Sequence, residues 1–230
     1  MLATLSTEDY VMELSKLIRK KIQSVHHAIE TLPVSKAMIE GTIQREKYVS
    51  LLQQLGPVHQ TIEEGTFQNE GIFPPCEFGR ARSQCIEADL EYFGIIGRDP
   101  LLPESQDFVD QVQRWSEERP WALFGALYIV EGSRMGSMIL VRHLSRSFAV
   151  TASPGHGLDY HLDGIDTLHH RWGQFKATLD SWELTEDQRV DVIEGAAQTM
   201  QGLFAIYQSV GESREAQVTS RERIMQPSVS

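Results

Sequence analysis

Apolar residues recur every three to four positions along almost the whole of this 230-residue chain, a spacing typical of amphipathic helices. Alternating strand-like stretches joined by Asn-Gly or Asp-Gly turns are nearly absent. With 41% hydrophobic and 23% charged residues, the composition is that of an ordinary globular protein, and the length suits one domain or two small ones. We therefore expect an all-α, single-domain, multi-helix bundle.

Proline, glycine and polar clusters interrupt the helical pattern and predict where each helix begins and ends. A capping box of Thr185 with Gln188 marks the start of the last helix, and Gly56-Pro57 should kink the third. The predicted helices lie at about 7–31, 33–41, from 42 to beyond 62, 80–94, 105–116, 121–148, 165–182 and 186–210, with a loop at about 150–163. We expect one domain over residues 1–211 and a disordered polar tail over 212–230.

The charge and the apolar runs of the chain exclude several classes of protein. A formal net charge of -11 argues against nucleic-acid binding, which needs a basic face. The longest uncharged apolar run, residues 121–130, is far shorter than the roughly 18 residues of a membrane span. The N-terminus lacks the basic and apolar regions of a secretory signal, so we expect a cytoplasmic protein.

The stretch "LYIVEGSRMGSMIL", residues 127–140, places two glycines and a glutamate inside an otherwise apolar helical segment. Glycine within a helix costs about 1 kcal/mol relative to alanine, so Gly132 and Gly136 require a reason. They strip one helix face of Cβ atoms, either for a flat ligand or for close packing of another helix, and they also allow a bend. Glu131 requires a hydrogen-bonding partner if it is buried.

Two adjacent histidines lie on the first predicted helix. His26 falls on the apolar face, whereas His27 is turned about 100° toward the polar side. A core-facing histidine is usually a hydrogen-bonded packing residue. Glu30, four residues after His26, can however lie beside its imidazole, hold the tautomer and strengthen the ring as a metal ligand.

The order of four segments resembles the heme oxygenase family in its bacterial branch. They are "LIRKKIQSVHHAIE", "TIQREKYVSLLQQL", "EADLEYFG" and "ALYIVEGSRMGSMILVRHL". The agreement spans most of residues 10–210. Its most specific elements are the histidine with a glutamate four residues on, and the Glu-Gly-Ser-x-x-Gly helix about a hundred residues later. The resemblance implies a heme oxygenase-like helical bundle, in agreement with the periodicity.

The resemblance also implies residue roles. His26 becomes the ligand of heme iron, supported by Glu30, and Gly132 and Gly136 bring the backbone of the distal helix over the ring, where dioxygen binds. Arg19, two turns before His26, and Lys176 in "RWGQFKATLD" match basic partners of the heme propionates, which would fix the rotation of the ring.

Three positions depart from the family pattern. Ser133 stands where animal members usually have an acid that organises distal water, and Ser137 replaces a second consecutive glycine, which narrows the pocket or adds a hydrogen bond. His59 stands about where relatives often have a tyrosine near the distal network. A histidine pKa in the physiological range would suit proton delivery.

The leading interpretation is therefore a heme-degrading monooxygenase that opens heme, both cofactor and substrate, with O2 and electrons to biliverdin, carbon monoxide and ferrous iron. The chain carries no flavin or nicotinamide motif, so we expect an external electron donor, a ferredoxin or a reductase. Two alternatives stay open. One is a heme-binding carrier or sensor without turnover. The other is a non-heme di-iron oxidase that uses Glu30, Glu63, Glu87 and Glu131, although the chain lacks a Glu-x-x-His repeat.

Overall fold

The computed structural model describes residues 12–72 and 82–213, and the regular structure in these ranges is helical. In chain order the helices are α1 (Leu14–Thr31), α2 (Pro33–Glu40), α3 (Arg45–Gln68), α4 (Arg82–Tyr92), α5 (Pro103–Glu118), α6 (Trp121–Ser133), α7 (Ser137–Phe148), α8 (Asp159–Leu162), α9 (Leu168–Asp180) and α10 (Glu186–Glu212). Turns of 3-10 helix occupy Arg134–Gly136 and Ile165–Thr167. No strand occurs within the described ranges, and the predicted all-α fold is confirmed.

Most predicted helix boundaries agree with the structure to within a few residues. Helix α1 begins at Leu14 rather than at residue 7, because Met12 and Glu13 are not helical, and residues 7–11 lie outside the described part. Helix α3 continues through Pro57 without a break. The last helix extends to Glu212, and the predicted tail beyond Ser213 lies outside the described residues.

The capping box predicted for the last helix is confirmed. The Thr185 hydroxyl accepts a hydrogen bond from the Gln188 backbone N–H, and the Gln188 side-chain oxygen accepts one from the Thr185 N–H at 2.9 Å. Two N–H groups that a helix start leaves without intrahelical partners are thereby satisfied. This local signal marks the start of α10.

The segment predicted as one helix over 121–148 is in fact two helices. Helix α6 ends at Ser133, one 3-10 turn spans Arg134–Gly136, and α7 begins at Ser137. Gly132, near the end of α6, and Gly136, the last residue of the turn, have low helix propensity, and the Ser133 hydroxyl donates to the Val130 carbonyl of the preceding turn. The sequence thus contained the reason for the interruption, although the prediction of a single helix was wrong.

Helix α6 lies at the centre of the core and crosses α10 at very short range. A Cβ added at Gly125 would lie 2.1 Å from the Val192 carbonyl oxygen, and one at Gly195 would lie 2.2 Å from the Ala122 carbonyl oxygen. The two backbones therefore touch, which only glycine permits. Close packing of another helix, which the sequence offered as an explanation for Gly132 and Gly136, brings backbone against backbone at Gly125 and Gly195, whereas at Gly132 the neighbour is a side chain of α9 and at Gly136 nothing lies within 4 Å.

None of the helices in the described ranges has both the length and the apolar character needed to cross a membrane.

Candidate functional site

Four helices surround a cleft of about 1040 Å³, formed by α1, α6, α9 and α10. Its walls combine apolar side chains with several charged ones. Apolar surface comes from Ile22, Ile29, Ile129, Met200 and Leu203. Six of the nine residues chosen from the sequence line this cleft: Arg19, His26, Glu30, Gly132, Ser133 and Lys176.

His26 lies at the cleft wall with Glu30 beside it. The His26 Nδ1 is 3.4 Å from one Glu30 carboxylate oxygen, and the His27 Nδ1 is 3.7 Å from the other. The prediction that His26 faces the core was wrong, because 55% of its side chain is exposed, against 79% for His27. Helix α1 turns His26 to the cleft rather than to the packed interior, and Glu30 contacts Nδ1, which leaves Nε2 for an acceptor or ligand role.

The charged residues of the cleft differ in whether they already have partners. Lys16 pairs with Glu13 at 3.0 Å. Arg19 and Lys176 form no ion pair with any carboxylate in the described ranges, although Lys176 lies 5.5 Å from the centre of the Trp172 ring. Two cations on different helices therefore remain available to a carboxylate-bearing ligand.

Gly132 presents its backbone at the cleft, but its surface is not bare. An added Cβ would lie 3.2 Å from Cη2 of Trp172, a side chain of α9. At Gly136 an added Cβ would meet nothing within 4 Å, and this residue does not line the cleft. The Ser133 side chain lines the cleft, yet its hydroxyl already donates to the Val130 carbonyl at 2.8 Å and is left as an acceptor.

His59 and Ser137 do not line the cleft and belong to a buried polar cluster. The His59 Nε2 is 3.0 Å from the Tyr160 hydroxyl, and the Ser137 hydroxyl is 3.4 Å from Nδ1 of His161. Burial, and then the positive charges of Arg82 and Arg134, lower the pKa of His59 to about 3. The expectation of a His59 pKa in the physiological range was therefore wrong, since a desolvated imidazole beside two guanidinium groups remains neutral.

The buried glutamate of the glycine segment has an ion-pair partner three residues on. Arg134, 2% exposed, donates to Glu131 at 3.2 Å and to the Asp163 carboxylate at 3.0 Å, and also to the Asp163 carbonyl oxygen. Burial lowers the pKa of Arg134, although its two carboxylate neighbours oppose this. The pair explains why a glutamate stands in the core: its charge is matched.

Several residues around the site escaped the sequence analysis. Tyr128, Trp172 and Asp180 line the cleft, while Tyr160 and His161 belong to the segment that was predicted as a loop and contains α8. Asp89, buried on α4, accepts hydrogen bonds from the backbone N–H groups of Asp159 and Tyr160 and so caps that helix. The one available signal was Trp172, since it lies four residues before Lys176 on the same helix face.

The di-iron alternative finds no support in the described residues. A site of that kind needs about six inward carboxylate and imidazole ligands, and no group of three or more His, Cys, Asp or Glu side chains in residues 12–72 and 82–213 could hold a metal ion. The four glutamates considered for it have separate partners: Glu30, Glu63, Glu87 and Glu131.

Known proteins resemble this chain in both sequence and fold. The heme oxygenase family model matches residues 12–210. A heme oxygenase of Guillardia theta is 24% identical over 186 residues, which cover 78% of each chain. The heme oxygenase structure from Leptospira interrogans superposes with a TM-score of 0.75 at 20% identity and covers 86% of this chain and all of that one. Heme oxygenase-1 of Synechocystis sp. PCC6803, solved in complex with heme, has a TM-score of 0.73 at 16% identity over 93% of this chain and 97% of that one. On the strength of the family match over nearly its whole described length, this chain belongs to the heme oxygenase family.

Proposed function

We propose that this chain binds heme in the cleft through His26 and opens the ring with dioxygen and electrons, yielding biliverdin, carbon monoxide and ferrous iron. One observation carries the proposal: His26, Arg19, Gly132 and Lys176, which the resemblance selected from three separate helices, line the same cleft. The bound heme supplies the redox-active iron and is itself consumed, so the protein's part is to bind, orient and shield it.

The residues of the cleft fit such a ligand. A histidine whose Nδ1 faces a carboxylate has its Nε2 free for iron, and the carboxylate raises the basicity of the ring. The apolar side chains of Ile22, Ile129 and Leu203 provide a surface for a macrocycle. Arg19 and Lys176 provide the two unpaired cations that propionates would need, because a hydrogen bond between charged partners is stronger than a neutral one.

The contacts of Gly132, Ser133 and His59 indicate the part that each would take in the proposed reaction. Gly132 lets backbone rather than side chain approach the ligand. Ser133 offers an acceptor oxygen at the cleft and, because its proton is engaged by the Val130 carbonyl, is a poor proton donor. His59 is neutral and does not line the cleft, so its part is to hold Tyr160 rather than to deliver protons. We propose that electrons come from an external ferredoxin or reductase.

Hemin titration of the purified protein tests the proposal, with His26→Ala as the variant and His27→Ala as the matched control. Both histidines line the cleft and both contact Glu30. The Soret bands of the two variants should therefore differ only if one of these histidines coordinates the heme iron. We expect a stoichiometric Soret band in the wild type and in His27→Ala, and a shifted or weakened band in His26→Ala.

Adding a reducing system in air then separates turnover from storage. We expect the Soret band to collapse and a broad biliverdin band to appear, with carbon monoxide released in proportion. A Soret band that persists under these conditions would mean that the protein carries or senses heme without degrading it. The absence of any stoichiometric band in the wild type would refute both heme functions.

A further inference from the structure

Trp172 covers part of the glycine surface that α6 presents to the cleft. From the position that a Cβ of Gly132 would occupy, Cη2 of the indole is 3.2 Å away, Cζ2 3.4 Å and Cζ3 3.8 Å. All three atoms belong to the six-membered ring, the part of the side chain farthest from its own backbone. A shorter aromatic side chain at position 172 would not reach Gly132.

Three neighbours hold the indole in this position. Phe175 lies parallel to it with ring centroids 5.7 Å apart and an interplanar angle of 14°. Tyr128 meets it edge-on at 4.9 Å, and the Tyr128 hydroxyl donates to the Ser15 carbonyl on α1. The Lys176 ammonium lies 5.5 Å from the ring centroid on the same helix. Offset and edge-on aromatic contacts of this kind are directional and favour this orientation of the indole in the cleft wall.

The indole therefore closes one side of the Gly132 backbone, whereas Gly136 does not line the cleft. A planar molecule laid against the Gly132 backbone must therefore bring one edge up to the indole. Its rotation and translation in its own plane are limited by the residue that forms this wall.

We propose that Trp172 is a specificity-determining residue that sets the in-plane position of the tetrapyrrole in the cleft, as an aromatic wall beside Gly132 that also holds Lys176. The inference rests on the proposed heme-binding function. Which meso carbon faces the reacting oxygen depends on that in-plane position, so Trp172 also contributes to the choice of biliverdin isomer. It acts by contact with the ring edge and takes no part in the transfer of electrons or protons.

The test compares wild type with Trp172→Phe and Trp172→Ala. Trp172→Phe keeps an aromatic ring on Phe175 but withdraws the atoms that reach Gly132, so it separates the wall from general packing. Trp182→Phe is the control, because Trp182 packs on Trp121 and Phe124 and does not line the cleft. Proton NMR of the ferric complex gives the ratio of in-plane heme orientations without any turnover, and a Soret titration gives the affinity.

We expect one dominant orientation in the wild type and in Trp182→Phe, and a mixture in both Trp172 variants. Trp172→Ala should also weaken hemin binding about tenfold, and after turnover the isomers of biliverdin should follow the orientation ratio. If the Trp172 variants keep the wild-type orientation ratio and affinity, the wall inference is wrong while heme binding stands. If the wild type forms no stoichiometric complex with hemin, the proposed function and the inference both fall.

Discussion

The carboxylate of Asp180, the last residue of α9, accepts two hydrogen bonds from Ser15 in the first turn of α1. One comes from the Ser15 backbone N–H and one from its hydroxyl, both at 2.7 Å. The first N–H groups of a helix lack intrahelical partners, and a negative charge there is favourable. Because α1 carries both His26 and Arg19, the Asp180–Ser15 contact fixes one end of the helix that provides the candidate iron ligand.

Replacing Asp180 with alanine should lower the free energy of unfolding by roughly 2 kcal/mol, since two hydrogen bonds to a charged acceptor are lost. Asp180→Asn should cost less, because the amide oxygen still accepts from the Ser15 N–H. Urea denaturation measures both. Asp166→Ala, at an exposed residue of a 3-10 turn, serves as the control. An equal loss of stability in that variant would argue against the Asp180–Ser15 contact. Hemin affinity should fall in the same order as stability.

The α6–α10 crossing predicts opposite outcomes for two glycine-to-alanine substitutions. Gly125→Ala should destabilise the protein by about 3 kcal/mol, because the new methyl group would overlap the α10 backbone. Gly136→Ala should stabilise it by about 0.5–1 kcal/mol, since this residue has helical dihedral angles and free space around its Cβ position. Thermal and urea unfolding measure both. If the two substitutions changed the free energy of unfolding equally, this would contradict the backbone contact between α6 and α10.

Neutral buried histidines should make the protein sensitive to acid. The pKa values of His59 and His161 are lowered by burial, and by the charge of Arg82, from 6.5 to about 3. A lowered histidine pKa contributes stability that is fully present above pH 6.5 and is lost as the pH falls toward 3. His59→Gln should therefore reduce the slope of the free energy of unfolding against pH by about 1.4 kcal/mol per pH unit between pH 6 and 4. Parallel stability curves for wild type and variant would show that His59 is not neutral in the fold.

Asp89 should give a dependence of opposite sign. Burial is the largest influence on its carboxyl and raises the pKa from 3.8 to about 6, against the two backbone hydrogen bonds that it accepts. A raised carboxyl pKa favours the folded state fully below pH 3.8, and this contribution is lost as the pH rises through 6. Relative to Asp89→Asn, the wild type should lose roughly 2 kcal/mol of stability between pH 4 and 6. A wild type that gains stability over this range would contradict the direction of the shift.

Local signals in the sequence were enough to predict most of the helices. Proline at the start of α2, the capping box at Thr185 and the glycines near residue 94 act within one turn of the chain, so the helices they delimit were predicted. Around residues 134–136 the glycines indicated that a bend was possible, but not that three residues would change from α to 3-10 geometry. There Arg134 bonds Asp163, 29 residues later, and no local pattern reveals so distant a partner.

Part of the candidate site was likewise predicted from the sequence, and part of it was not. His26 with Glu30, the glycine pair, Arg19 and Lys176 were selected from spacing and resemblance, and the structure brings all but Gly136 to one cleft. His59 and Ser137 do not line the cleft; their side chains contact Tyr160 and His161, on a helix that was predicted as a loop. Their placement depends on how α8 docks, which helical periodicity does not encode.

By itself, then, the sequence determined an all-α chain with a histidine helix and a glycine-interrupted helix about a hundred residues apart, because helix periodicity and glycine propensity act over short distances. Tertiary structure alone decided three things: that α6 and α10 touch at Gly125 and Gly195, that Trp172 covers Gly132, and that burial keeps His59 neutral. Each depends on atoms far apart in the chain, and close packing and desolvation arise only once those atoms meet.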